Sequence, residues 1–425
     1  MCKIALKNNN KKPSYEIQDI FNKYSDEYKL NHKLTSIQKK AITDICNCRT
    51  LKLGFNAREC SDCKNIEFSY NSCRNRNCPK CQGQKRFQWV QDRLKTTLAV
   101  PYYHTVFTVP NQLFDIAIFN QKIFYDLLFK CSSDTLKQFA QDLKWWDFKE
   151  KLGQTCDSMS QGKPSASKPN IKLSFFGILH TWGQTLVYHP HIHFIVAGAG
   201  IIKNEIVEPK YNSKFLFPVK AMSKVFRGKL IQGIKKAYYL NKLELDDRFS
   251  DSRFFESFID NIVNRKWVVY SKSQFQSSVK IVEYMSRYTH RTAVSNSRII
   301  SIDNNIIRFK YKDYKDNSKQ KIMKLSADEF IKRFLYHIPP KRYFRIRYYG
   351  KIQKLSTIKN KKIIINNTIE DNEKLPNINK PKCKKCQCTK SEVIVVVNGI
   401  NKVVQGLMTP NILDLKKEIK FNDTS

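Results

Sequence analysis

Tyr188-His189-Pro190-His191-Ile192-His193-Phe194-Ile195-Val196 is the stretch from which the rest of the chain can be read. It has the composition of a β-strand, and successive side chains of a strand point to opposite faces. His191 and His193 therefore share one face, and Ile192, Phe194 and Val196 form the opposite, core-facing one. His189 has the parity of the other two histidines. Three of the chain's eight histidines stand within five residues, a density that isolated surface histidines do not show. Two imidazoles side by side can ligate one cation. Imidazole suits zinc and copper better than magnesium, so the pair alone does not name its metal.

Working outward, YYHTVFTV, KLSFFGIL and HIHFIVAG read as strands, and KLIQGIKKAYYL and SVKIVEYMSRYT as helices. Between Pro101 and Pro339 the two types alternate, which gives a mixed α and β body. In SVKIVEYMSRYTHR the apolar Val279, Val282 and Met285 recur at helical spacing, so Tyr284 and Tyr288 stand four apart on one helix face. Such a pair can present two phenols to one site or can simply pack.

Upstream, seven cysteines crowd residues 46–81. Cys60-Ser-Asp-Cys63 and Cys78-Pro-Lys-Cys81 are two knuckles, each able to offer two thiolates, and together they predict one closed structural zinc site. Cys46, Cys48 and Cys73 are left as further ligands or buried thiols. FQWVQDRLKTTL follows as a helix with Trp89, Leu94 and Leu98 inward. Arg74, Arg76, Lys80, Lys85 and Arg86 surround the knuckles, as phosphate contacts or as solvated charge. Cys383-Lys-Lys-Cys386-Gln-Cys388 is half of such a site and has no mate nearby in the sequence. Lys341-Arg342-Tyr343-Phe344-Arg345-Ile346-Arg347-Tyr348-Tyr349 interleaves cations with aromatics, as single-strand binders do and as basic edge strands also do.

The chain has 425 residues, 41% of them hydrophobic, which is enough for a sizeable core and two or three domains. Its 76 Lys and Arg against 37 Asp and Glu leave a net charge of +39. That sign fits a polyanionic partner, although the Lys, Asn and Ile bias is also that of an AT-rich genome. MCKIALKNNNKKP holds no apolar targeting core, and the apolar run around Val393–Val397 is too short to cross a bilayer. A cytoplasmic protein with no membrane partner is expected. In a reducing compartment thirteen cysteines point to metal rather than to disulfides.

CRTLKLGFNARECSDCKNIEFSYNSCRNRNCPKCQ, HTWGQTLVYHPHIHFIVAGAG, FPVKAMSKVFRGK, YMSRYTHRTAVSNSRI and FKYKDYKD together resemble rolling-circle insertion-sequence transposases, the insertion-sequence ninety-one family. The resemblance runs from about Cys48 to Gly350. It departs from the family pattern at VAGAG and at CKKCQC. It implies an α+β fold: an HUH endonuclease core, an antiparallel sheet flanked by helices, preceded by a cysteine-rich zinc-binding domain. On this reading residues 1–34 are a polar leader, 35–95 the zinc-binding domain, 96–340 the two-tyrosine catalytic domain and 341–425 a basic region with a partial knuckle.

The resemblance further implies that His191 and His193 hold Mg2+ or Mn2+, with His189, Gln184 and Glu283 competing as third ligand. Tyr284 and Tyr288 would cut single-stranded DNA at the element's ends and at its target. Arg287, His290, Arg291, Arg342, Arg345 and Arg347 would grip the strand. Nucleoid association in a bacterial or archaeal cell follows from such a role, and the oligomeric state stays open.

Overall fold

A computed structural model of the chain describes residues 13–82, 89–90, 92, 100–147, 170–202, 205–210, 216–275, 289, 292–350, 383–388 and 391–398. In chain order come helices α1 (Ile17–Asn31) and α2 (Ser36–Asn47), then strands β1 (Gly54–Cys60), β2 (Ile66–Tyr70) and β3 (Tyr102–Thr108). Helices α3 (Phe114–Phe119) and α4 (Gln121–Ala140) follow, then β4 (Trp146–Asp147), β5 (Lys172–Trp182), β6 (Tyr188–Ile202) and β7 (Glu205–Pro209). Next are α5 (Val219–Tyr239), α6 (Ser252–Val263), β8 (Val268–Phe275), β9 (Ile299–Asp303), β10 (Ile306–Asp313), β11 (Lys319–Ser326), α7 (Ala327–Tyr336), β12 (Ile346–Tyr349) and β13 (Ser391–Asn398). Two compact units result: residues 43–74 with 376–425, and the remainder.

The larger unit is built on a seven-stranded sheet whose main path runs β12-β5-β6-β3-β8, with β7 and β4 continuing from the far end of β6. The pairs along this path are antiparallel. The fold is α+β. Sequence alternation explains which face of the sheet each residue covers. Phe107 of β3, Phe175 of β5 and Ile192, Phe194 and Val196 of β6 enter one core with Phe124 and Leu128 of α4, Phe226 and Leu230 of α5 and Phe255 of α6. The rings of Phe107, Phe194 and Phe226 meet edge to face, with centroids 5.0 and 5.7 Å apart. Each fully buried Phe contributes about 2–3 kcal/mol in transfer free energy. Opposite Phe194, strand β5 carries Gly177, where a Cβ would sit 2.5 Å from the Phe194 ring. No larger residue leaves room for that ring.

The other face has its own, smaller core: Tyr102, Phe176, Ile178, Ile195, Ala197 and Ala199 around Trp89. Both faces of β6 are thus covered, so its apolar run extends beyond strict alternation.

A second sheet, β11-β10-β9, leads into α7. Ser326 caps that helix by accepting from the Glu329 N–H at 3.2 Å, and Asp328 and Glu329 sit favourably in its first turn. α1 packs on α7 through Phe21 and Phe334, 5.3 Å between centroids. The segment expected as a polar leader therefore contains a packed helix, with Ile17, Ile20 and Phe21 fully buried. Among the described residues no helix is long and apolar enough to cross a membrane.

In the smaller unit β1 is the central strand, antiparallel to β2 on one side and to β13 on the other.

Candidate metal centre

The face of the sheet that bears Ile178 and Ile195 also bears the histidines. His191 and His193 of β6 share it, as their spacing predicts. Register then adds two histidines that local spacing could not supply. β5 lies antiparallel to β6 with His180 opposite His191. β3, on the other side, sets His104 opposite Ile195, two residue pairs beyond His193. Ligating nitrogens of His180, His191 and His193 all lie within 4.8 Å of one another, and all three side chains are buried.

The tautomers follow from the partners. His191 Nδ1 lies 2.6 Å from the His189 carbonyl oxygen, which can only accept, so that nitrogen carries the proton and Nε2 the lone pair. His193 Nδ1 lies 2.8 Å from His104 Nε2. With the proton on His193 Nδ1, its Nε2 also carries a lone pair, 3.0 Å from that of His191. In that tautomer the two lone pairs face each other, an arrangement that a cation between them would satisfy. Desolvation by burial holds His104 down to about 4, His191 to about 3 and His193 well below the usual imidazole value. All three are neutral at physiological pH, the form that ligates a metal. His104 then stands to His193 as an outer partner that fixes ring orientation, its ring parallel to that of His193 at 5.1 Å.

Of the sequence-derived candidates for a third ligand, His189 and Gln184 are not among the gathered nitrogens. Between the pairs His180–His191 and Trp182–Tyr188, β6 carries one residue more than β5. This bulge, at Pro190, which has no N–H to give a ladder, breaks the alternation on which His189 was placed. The His189 ring lies 5.0 Å from that of His191 and 5.4 Å from that of Phe114, and its carbonyl serves His191. Gln184 lies in the β5–β6 turn and donates to the Tyr314 hydroxyl at 3.1 Å. Glu283 lies outside the described residues, as do Tyr284, Arg287, Tyr288, His290 and Arg291.

The turn beside the histidines is held firmly. Leu186 is in the left-handed region at φ 61° and is fully buried. Its carbonyl accepts from His337 Nε2 at 3.1 Å, and Arg333 Nη1 donates to the Thr185 carbonyl at 3.0 Å.

The basic-aromatic stretch forms the edge strand β12 against β5. Arg347 is turned inward, paired with Asp126 and stacked 4.3 Å over the Phe129 ring. Arg345 is half-buried, and desolvation lowers its pKa to about 10, with Arg76 adding repulsion. Arg342 and Phe344 stay exposed. Arg76 donates twice to the Tyr343 carbonyl, at 2.6 and 2.7 Å, and Lys80 pairs with Glu16. These two cations of the cysteine stretch are thus engaged within the protein.

The cysteines combine differently from the sequence-based expectation. The thiols of Cys60 and Cys63 meet those of Cys383 and Cys386, all within 4.8 Å of one another. Cys78 and Cys81 are not members of that group. Cys78-Pro-Lys-Cys81 makes its own turn, the Cys81 N–H donating to the Cys78 carbonyl at 3.2 Å. Cys48 is buried, and Cys46 and Cys73 are half-buried.

Comparison with known proteins sets this site in context. Residues 174–361 match the family model described as "Putative transposase", and residues 20–109 match "Transposase zinc-binding domain". A "Putative transposase y4qJ" of Sinorhizobium fredii is 36% identical over 342 residues, 79% of this chain and 79% of that one. The chain belongs to the insertion-sequence ninety-one family of transposases. A second relative, "Transposase for insertion sequence element IS801" of Pseudomonas savastanoi pv. phaseolicola, is 24% identical over 323 residues, covering 75% of this chain and 70% of its own. No solved structure matches. DNA is the substrate of such a transposase, and the matched zinc-binding domain together with the gathered thiols supports structural zinc.

Proposed function

We infer that this transposase cuts and rejoins single-stranded DNA by the HUH two-tyrosine route, with His180, His191 and His193 as the triad that holds its catalytic cation. The observation that carries this reading is the cluster of three buried imidazoles on adjacent central strands of the sheet, within a chain of this family. The donor set fits a divalent first-row ion. Three nitrogens suit Mn2+ better than Mg2+, which prefers oxygen ligands. When bound, such a cation polarises the scissile phosphate.

Tyr284 or Tyr288 supplies the nucleophile. A phenol has a reference pKa of about 10, so it reacts only against a polarised target or with its proton removed. Its oxygen bonds to phosphorus as the bond to the 3′-oxygen breaks. The phenol proton is given up and the departing 3′-oxygen takes one, leaving a 5′-phosphotyrosine and a free 3′-hydroxyl. The energy of the phosphodiester stays in the tyrosyl ester, so rejoining consumes no nucleotide. Two tyrosines let one hold the donor strand while the other opens the target. Within this reading residues 96–340 are the catalytic domain, and Arg287, His290, Arg291 and the exposed Arg342 contact the strand.

The test is His191→Ala, assayed with a labelled single strand carrying an end of the element, in Mn2+. Cleavage is lost while salt-dependent DNA binding, supplied by basic residues elsewhere, persists. Undiminished nicking by the variant, or full activity of the unaltered protein in chelator, contradicts the assignment.

A further inference from the structure

The cysteine group of the smaller unit has the features of a metal site that joins two segments 320 residues apart. Cys60 ends β1 and Cys63 follows it, and Cys383 and Cys386 precede β13, its antiparallel partner, in which Ser391 stands opposite Cys60. Both knuckles adopt one backbone form. In the first, the Cys60 N–H donates to the Asn65 carbonyl at 2.9 Å and the Lys64 N–H to the Cys60 carbonyl at 3.0 Å. In the second, the Cys383 N–H donates to the Cys388 carbonyl and the Gln387 N–H to the Cys383 carbonyl, both at 2.8 Å. The fifth residue of each, Lys64 or Gln387, is left-handed, at φ 55° and 62°.

Two unrelated stretches of sequence thus make the same turn and aim their thiols at each other. Cys60 Sγ lies 3.5 Å from Cys386 Sγ, and Cys63 Sγ lies 3.6 Å from Cys383 Sγ. A disulfide needs about 2.05 Å between sulfurs. Four thiolates around zinc at about 2.3 Å stand about 3.8 Å apart in a tetrahedron, close to what is seen. Neighbours reinforce the pairing: the Lys384 N–H donates to Glu67 Oε1 at 2.5 Å, and Asn65 Nδ2 approaches Cys383 Sγ at 3.9 Å.

We propose that Cys60, Cys63, Cys383 and Cys386 bind one structural zinc ion that fastens β13 and its knuckle to the β1–β2 hairpin. The domain matched over residues 20–109 supplies only half of this site; the other half lies far downstream. Closing so long a loop costs chain entropy, and the ion offsets it. The proposal does not depend on the strand-cutting reading, and its test involves no DNA.

The full-length protein as purified is labelled with N-ethylmaleimide under native conditions, with and without a zinc chelator, and each cysteine is followed by peptide mass spectrometry. Cys386 is exposed, so as an unligated thiol it would label quickly. Its expected behaviour is protection equal to that of Cys60, Cys63 and Cys383, with all four becoming reactive together, by about tenfold or more, when zinc is withdrawn. Fast labelling of Cys383 and Cys386 before chelation, with Cys60 and Cys63 protected, overturns the proposal. In parallel, zinc is counted in the double variant Cys383→Ser/Cys386→Ser. It should hold one ion per chain fewer than the unaltered protein, and its Cys60 and Cys63 should label freely. An unchanged zinc content refutes the site. Where the variant does not fold, labelling of the unaltered protein decides.

Discussion

Replacing His104 by Leu removes a group that should touch neither DNA nor the cation, yet it should weaken the cation site. At neutral pH His104 is uncharged, because burial holds its pKa down to about 4, and its Nε2 lies 2.8 Å from His193 Nδ1. For His193 to offer Nε2 to a metal, Nδ1 must keep the proton and donate it in this hydrogen bond. Leu fills most of the space but takes away this acceptor, a loss worth about 1–3 kcal/mol. That corresponds to a rise of about 10–100-fold in the dissociation constant, the range found when outer partners of metal ligands are removed. Gln at the same position can accept the bond through its amide oxygen and should stay near the unaltered value. Mn2+ titration monitored by the paramagnetic resonance of the free ion reads all three proteins directly. Thermal unfolding in chelator separates a metal effect from a general loss of fold. Cleavage by His104→Leu should recover at saturating Mn2+. Binding by the Leu variant within about twofold of the unaltered protein, or equal weakening by Leu and Gln, would refute the outer-partner role.

Other consequences can be checked separately. His337 is fully enclosed, with burial lowering its pKa to about 4 from a reference of 6.5. The unfolded chain takes up this proton as pH falls through about 6.5 while the folded chain refuses it, so up to about 3 kcal/mol of stability is lost between pH 6.5 and 4. His337→Gln should flatten that part of the unfolding profile, and an unchanged slope would count against the assignment. Phe194→Ala should cost about 3–5 kcal/mol in denaturant unfolding, because the ring spans the core from Gly177 to Phe107; a loss below about 1 kcal/mol would mean that the sheet face is not packed as described. His180→Ala should reduce Mn2+ binding and cleavage together while leaving DNA binding unchanged, and activity at the unaltered level would exclude His180 as a ligand.

How much of this was legible in the sequence depended on how far apart the partners are. Alternation alone put His191 and His193 on one face and Ile192, Phe194 and Val196 in the core, because period-two patterning is local. His180 and His104 carry no comparable signal: each is a single histidine at or within an apolar run. Only the antiparallel register of β5 and β3 against β6 brings them to the pair. The parity of His189 is not legible in the same way, because the bulge at Pro190 interrupts the alternation and a bulge shows only when the partner strand is known. The knuckles were recognisable one by one, but their pairing was not. Cys60 and Cys63 had a mate in sequence at Cys78 and Cys81, whereas the partners in space lie beyond residue 380. Arg347 looked like a DNA contact until Asp126 appeared opposite it. The helix reading of Tyr284 and Tyr288 falls outside the described residues and rests on periodicity and resemblance.

The most direct test of the strand-cutting claim is to trap the covalent intermediate. A 5′-labelled and a 3′-labelled single strand carrying an element end are each incubated with protein and Mn2+, then run on a denaturing gel, and the adduct is digested and mapped by mass spectrometry. The expected result is label retained on the protein only from the 3′-labelled strand, with the nucleotide joined through its 5′-phosphate to Tyr284 or Tyr288, and no adduct when both are Phe. An adduct on another residue, one that survives in the double Phe variant, or cleavage without any adduct would contradict it.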